Sequence, residues 1–419
     1  MRARLLLAVL MAVLAAPAGA GPLQDMIDAA ADGATITPPA GVYVENIVIS
    51  RPLILDGSAG VIIDGGGKGT VVELAADSAE LRSLTIRNSG RLHNKLDAGL
   101  RLKGDFNIIK DVIIENCLFG LDMHEADNNI IRRNTISSKD MPLELRGDSV
   151  RLWYSHDNTL EDNVVRDSRD FVVWYSRGNV LKGNRISHGR YGVHFMYAHD
   201  NKVVDGEIAD CVVGVFLMYS NNIEVRGNKI LRAWGASGMG VGFKESSEAV
   251  IAGNDIVGNA VGIFLDISPY EPDSLNRFEA NRIAYNGIGV EFHTDWVGNV
   301  FADNAFMSNF TQIAVRGGGT ALRETWEGNF WDDFAGFDRD ADGRGDSPYE
   351  LYNYADRIWM EVKDAAFFRG GLALEALDFV ERLAPFSEPL LLVKEERPRF
   401  TMPEQKAPEN KKGALDMLQ

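Results

Sequence analysis

Residues 156–165 read "HDNTLEDNVV", and the chain rewrites that phrase as "RGNVLKGNRI" (177–186), "HDNKVVDGEI" (199–208) and "NNIEVRGNKI" (221–230). Looser copies follow as "AVIAGNDI", "NRFEANRI" and "NVFADNAF", and earlier ones stand at "FNIIKDVII" and "NNIIRRNTI". From Asn158 to Asn179 to Asn201 to Asn222 the step is 21 or 22 residues. A period of that length marks a solenoid, whose single coil cannot bury its apolar face alone. The leucine spacing of a leucine-rich repeat is missing. Each coil instead carries short β-branched and aromatic runs punctuated by Gly and Asn, which is strand-and-turn chemistry. Asn tolerates left-handed backbone angles and bonds its own backbone in turns. Asn134, Asn163, Asn184, Asn254, Asn281 and Asn304 recur at one point of the repeat and should stack as an amide ladder. The expected fold is all-β, a right-handed parallel β-helix of roughly ten coils.

The chain is expected to divide into four segments, one of them that solenoid. Residues 1–20 read as a signal peptide: Arg2 and Arg4, the apolar run "LLLAVLMAVLAA", then a small-residue cleavage site. Residues 21–329 form the β-helix. Residues 330–365 are rich in Asp and aromatics and should cap its open end. In 366–419 an amphipathic stripe over 370–384 sets Ala373, Ala376, Leu377, Val380 and Leu383 on one helical face and Glu375, Asp378, Glu381 and Arg382 on the other. The Pro-, Lys- and Glu-rich tail from Ser387 is expected to be extended or disordered.

With 60 acidic against 43 basic residues, the chain lacks the basic surface that nucleic acid requires. The two cysteines, Cys117 and Cys211, stand at the same point of "IIENCLFGLDMH" and "EIADCVVGVFLM", four repeats apart. In a stacked structure that separation exceeds bonding distance, so both should be buried thiols.

Aligning the coils on the turn Asn sorts the preceding strand into columns. Met123, Leu152, Val173, Phe195 and Leu217 form an apolar column that should face inward. Side chains alternate along a strand, so the flanking columns face outward. One reads His124, Trp153, Trp174, Met196, Met218, Lys244, Asp266, His293; the other reads Asp122, Arg151, Val172, His194, Phe216, Gly242, Phe264, Glu291. His194 and Met196 thus share a face, with Met218 one coil on. Imidazole and thioether ligands suit the soft ion Cu(I). Equally, the two methionines could cover apolar surface beside Trp174 and dock a partner. His156 and His199 read as solvated turn residues, His188 as structural in the Cys117 column, and the Tyr154, Tyr175, Tyr197, Tyr219 column as an aromatic stack.

"DRDADGRGD" (338–346) places Asp338, Asp340, Asp342 and Asp346 around Gly343, like a calcium loop without its twelfth-position glutamate. A structural Ca2+ or a polar Asx-turn loop would each account for it. Glycosidase chemistry needs paired carboxylates. Asp266 and Glu291 are the only candidate pair, several coils from the tryptophans, so a carbohydrate-active enzyme is the weaker alternative and no catalytic residue is assigned.

The coils "GVHFMYAHDN" (192–201) and "GVFLMYSNN" (214–222), the block "GNFWDDFAGFDRDADGRGDSPY" (328–349) and the tail "LDFVERLAPFSEPLLLV" (377–393) resemble the NosD family. These are the periplasmic β-helix proteins of nitrous oxide reductase maturation. The resemblance implies a non-enzymatic periplasmic component of an ABC-type transporter, held at the inner membrane by a permease with its ATPase. It implies that copper is accepted from a lipoprotein chaperone and passed to apo nitrous oxide reductase. The family supplies no motif that fixes copper ligands. The columns point to His194, Met196 and Met218, with His124, Met123, His199 and His293 as lesser candidates. The stripe in 370–384 and the apolar "PLLLV" run would dock on the permease. A coupling subunit with no metal site of its own remains the third reading.

Overall fold

The repeated phrases become stacked coils. The computed structural model describes residues 21–403, except Pro385 and Ser387, so the expected signal peptide and the last sixteen residues lie outside the described part. Three parallel sheets of 13, 13 and 12 strands run the length of the molecule. Sheet one runs from Thr35–Ile36 to Thr325–Glu327, sheet two from Gly41–Val44 to Phe330–Trp331, and sheet three from Ile47–Ile49 to Thr311–Val315. Each coil contributes one short strand to each sheet, so the helix has about thirteen coils rather than ten. The extra coils were hidden because apolar residues replace Asn at their turns. Leu53 and Ala79 hold the sites taken later by Asn107 and Asn129, and Leu84 and Val112 those taken later by Asn134 and Asn163.

In-register stacking builds the core column by column. In sheet one, Ile109, Ile131, Leu160, Leu181, Val203, Val225 and Ile251 stack inward and are buried. Full burial of each such side chain contributes about 1.5–3 kcal/mol. Toward the C-terminal end the columns grow aromatic. Phe278, Phe301 and Trp326 stack at 4.6 and 4.5 Å, and Phe306, Trp331 and Tyr349 at 4.2 and 4.3 Å.

Amide ladders lock the turns. The backbone N–H and Nδ2 of Asn163 both donate to Oδ1 of Asn184 at 3.0 Å. Asn228, Asn254, Asn281, Asn304 and Asn329 continue that ladder beyond a break at Gly206. The left-handed backbone angle falls on the residue before each Asn, at Asp162, Gly183, Gly253, Ala280 and Asp303. Asn is therefore selected for its buried amide rather than for its φ. Asn222 is not a ladder residue: it has φ 56° and is exposed, while Ile223 takes the buried site.

Both ends are closed. The helix Pro22–Ala29 seats Leu23 and Ile27 over the first coil. At the other end Tyr349–Asn353 pairs antiparallel with Leu390–Glu395. This part of the tail expected to be extended or disordered is an ordered strand, and residues 404–419 lie outside the described part. Leu392 and Val393 are buried, and Glu395 accepts from Asn329 N at 2.7 Å and from Trp331 Nε1 at 2.8 Å. The "PLLLV" run is thus part of the cap, with Leu392 and Val393 buried in it and Leu390 and Leu391 half-buried.

The helix Leu372–Leu383 forms where the stripe predicts it, with its charged side turned inward. Asp378 and Glu381 are buried, held by Arg382 and Arg357. Leu372 and Leu383 are 90% and 71% exposed, and Phe379 and Val380 are exposed beside them. Among the described residues no helix is long and apolar enough to cross a membrane.

Candidate metal site

The register of sheet three reproduces the two outward columns. Trp153, Trp174, Met196, Met218, Lys244 and Asp266 are successive partners, and so are Arg151, Val172, His194, Phe216, Gly242, Phe264 and Glu291. Met196 and Met218 lie directly opposite each other on neighbouring strands, about 4.8 Å apart along the stack. His194 precedes Met196 by two residues on the same face, about 7 Å along the strand. All three side chains are half-buried.

The surroundings of His194 were not legible in the sequence. Between the strands Asp170–Trp174 and Tyr191–Met196 the register slips by one residue, so that Asp170 faces Tyr191 while Val172 faces His194. The bulge lets Tyr191 and His194, three positions apart, point the same way, which strict alternation forbids. Their rings stack at 4.6 Å, and Phe216 meets the imidazole edge-on at 5.8 Å. Burial pushes the His194 pKa down to about 4, against the pull of Asp170, so the ring is neutral at ordinary pH. Among the described residues its Nε2 is buried with no hydrogen-bond partner, a costly state for a polar ring atom. Trp174 Nε1, on the preceding coil, is likewise buried and unpartnered.

Around the methionines the stripe is soft and aromatic. Trp174 lies below Met196 and Lys244 above Met218. Tyr154, Tyr175, Tyr197 and Tyr219 stack alongside at 5.0, 5.4 and 4.8 Å, all with φ near 50°. Lys244 Nζ sits 5.9 Å from the Tyr219 ring.

The lesser candidates do not join this group. Met123 is fully buried in the inward column and faces the core, so it cannot be a ligand at the surface. His124 is paired with Trp153, three coils from Met196 or about 14 Å. His293 is exposed and lies three coils beyond Met218, edge-on to Phe264. His199 belongs to a turn, where Nδ1 accepts from Asn221 N at 3.1 Å, and His156 accepts from Arg177 N in the same way. His188 is an exposed left-handed turn residue in line with Asp167 and Asp210, because Gly189 takes the place in the cysteine column. Cys117 and Cys211 are free and buried, and burial raises both thiols to about 11.

In the acidic loop, oxygens of Asp338, Asp340 and Asp346 all lie within 4.8 Å of one another. Asp342 turns away to Arg397 and to the Arg344 N–H. The expected four-carboxylate set is therefore three. Of the carboxylates Asp266 and Glu291, on adjacent coils, Glu291 is buried and bound to Arg316 at 2.7 Å.

Comparison with known proteins accords with this architecture. Residues 138–336 match the family described as "Periplasmic copper-binding protein (NosD)", and residues 32–230 match a right-handed β-helix region. The "Probable ABC transporter binding protein NosD" of Pseudomonas aeruginosa is 30% identical over 382 residues, 83% of either chain. Its namesake in Stutzerimonas stutzeri is 26% identical over 370 residues, covering 83% of this chain and 82% of that one. Among solved structures, the A-module of the mannuronan C-5 epimerase AlgE6 from Azotobacter vinelandii superposes with a TM-score of 0.60 at 19% identity, over 74% of this chain and 94% of that one. The catalytic unit of a GH87 α-1,3-glucanase from Streptomyces thermodiastaticus gives 0.55 at 16% identity, over 75% and 65%. At such identities the likeness to these enzymes shows the right-handed parallel β-helix fold. The extended identity to the Pseudomonas aeruginosa protein makes this chain a member of the NosD family.

Proposed function

We propose that the chain is the periplasmic, non-enzymatic component of an ABC-type transporter complex, and that it carries Cu(I) as cargo for the maturation of nitrous oxide reductase. A copper chaperone lipoprotein would supply the ion and the apo-reductase would receive it. His194, Met196 and Met218 are the ligands. The observation that carries this reading is His194 Nε2, buried, neutral and without a partner, on the same face as two thioethers in register. One imidazole and two thioethers form an uncharged soft set, which favours Cu(I) over hard divalent ions. Half-buried, unbranched methionines can reorient, which suits an ion that must be passed on. The bare apolar face of the helix Leu372–Leu383 is the docking surface for the permease, whose ATPase lies on the far side of the membrane.

Cu(I) titration against a chromophoric chelator tests the ligand set. His194→Ala, Met196→Leu and Met218→Leu should each weaken binding at least tenfold without unfolding the β-helix. Repeating the titration at pH 5 sharpens the result. An ordinary histidine of pKa about 6.5 would lose about thirtyfold in apparent affinity there through protonation. His194, with a pKa of about 4, should lose almost nothing. Unchanged affinity in all three variants would sink the assignment and leave a coupling subunit without its own metal.

A further inference from the structure

Three to six coils beyond Trp174, the same outer face carries a cavity of about 260 Å3 that plays no part in the copper reading. Its walls include Ser237, Met239, Phe264, Glu291, Arg316 and Arg369. The charges are unevenly matched. Arg316 is committed: its Nε donates to Glu291 at 2.7 Å and its Nη1 to the Trp359 carbonyl at 3.3 Å. Among the described residues Arg369 has no such partner. It lies half-buried with its guanidinium 5.2 Å from the Trp359 ring, which Arg316 also approaches to 5.2 Å. Among the described residues no carboxylate stands within ion-pairing distance of it, and Glu291 and Asp356 act on its charge only from a distance. Gly287 makes this position accessible, because a Cβ there would come within 2.9 Å of Arg369 Nη2. Burial, with Arg316 nearby, lowers the Arg369 pKa from its usual value, against the pull of Glu291 and Asp356.

An unpaired guanidinium fork in a partly desolvated cavity is a receptor for a planar oxyanion. Two features narrow the choice. Glu291 on the wall would repel a dianion such as sulfate or a phosphate ester. Phe264 and Met239 offer apolar surface to whatever the anion is attached to. We propose that this cavity binds a monoanionic carboxylate carrying a short aliphatic body, held bidentately by Arg369 and packed against Phe264 and Met239.

Calorimetry on the full chain provides the test. Isovalerate should bind, and isovaleramide, of the same shape without the charge, should bind at least tenfold more weakly. N-acetyl-leucine and its amide ask whether the carboxylate can be the C-terminus of a polypeptide. Binding of both acids assigns a general carboxylate pocket, whereas binding of N-acetyl-leucine alone assigns a chain terminus. Arg369→Gln should reduce acid binding at least tenfold with unchanged thermal stability, and Arg369→Lys, which keeps charge but loses the fork, should fall between. Glu291→Gln should tighten acid binding and admit sulfate; if that variant fails to fold, the Arg369 pair still decides. Equal binding of acid and amide, or full binding by Arg369→Gln, would overturn the proposal.

Discussion

The helix Leu372–Leu383 and the strand Leu390–Glu395 are separated by a handful of residues, and both are markedly apolar. Their fates are opposite. The strand buries Leu392 and Val393 against the cap, pairs with Tyr349–Asn353 and ends on a glutamate that completes the Asn ladder. The helix turns Asp378 and Glu381 inward and leaves Leu372, Phe379 and Leu383 bare. Apolar content does not decide which segment is buried; the donors, acceptors and strand edges its neighbours offer do. A segment whose charged side is better served by the body of the protein presents its apolar side outward.

The largest effect should come from breaking the strand's polar anchor. Glu395→Ala would strip the acceptor from Asn329 N, Asn329 Nδ2 and Trp331 Nε1, all buried. Unsatisfied buried donors cost about 1–3 kcal/mol each, so a loss of about 3–5 kcal/mol in the C-terminal coils is expected in denaturant unfolding. A change below 1 kcal/mol would mean that the strand merely lies on the surface.

A second glutamate sharpens the same contrast through pH. Glu324 closes the other ladder, accepting from Asn299 N at 2.7 Å, and burial raises its pKa to about 7. Because the folded value lies above the ordinary 4.5, this contribution is complete below pH 4.5 and is lost as pH rises through 7. The full span is about 3 kcal/mol. Glu324→Gln keeps an acceptor in place and should flatten stability between pH 5 and 8; an unchanged profile would count against it.

The helix should behave in the reverse way. Replacing Leu372, Phe379 and Leu383 together with Ser should change stability by no more than about 0.5 kcal/mol, as for exposed sites. Association with membranes carrying the permease should be lost. A strongly destabilised variant would show that the face is not bare. Point substitution is the cleaner probe, since deleting everything from residue 370 would also remove Glu395. The smallest effect belongs to the acidic loop. Millimolar Ca2+ should raise the melting temperature of the cap by a degree or two, and Asp340→Asn should abolish that rise.

Much of the fold was legible because its chemistry is periodic. The step of 21 or 22 residues fixed the columns, and the columns placed His194, Met196 and Met218 on one face. Where the period falters, so did the reading. Apolar residues at turn positions hid the first coils, and the bulge ahead of His194 hid Tyr191 as its neighbour. The stripe in 370–384 showed that a helix would have two faces. Which face turns inward depends on Arg357 and on partners brought close only by folding.

The amide ladders run one way. Where Asn bonds to Asn, each donates to its C-terminal neighbour and accepts from its N-terminal one, so the stack has a direction, as a growing polymer does. Its reactive end is the one with N–H groups still to give, and open strand edges of this kind recruit other chains. Glu324 and Glu395 meet that end with carboxylates, which accept those N–H groups and have no amide to hand on. They act as chain terminators, and a protein deprived of both would be expected to elongate end to end.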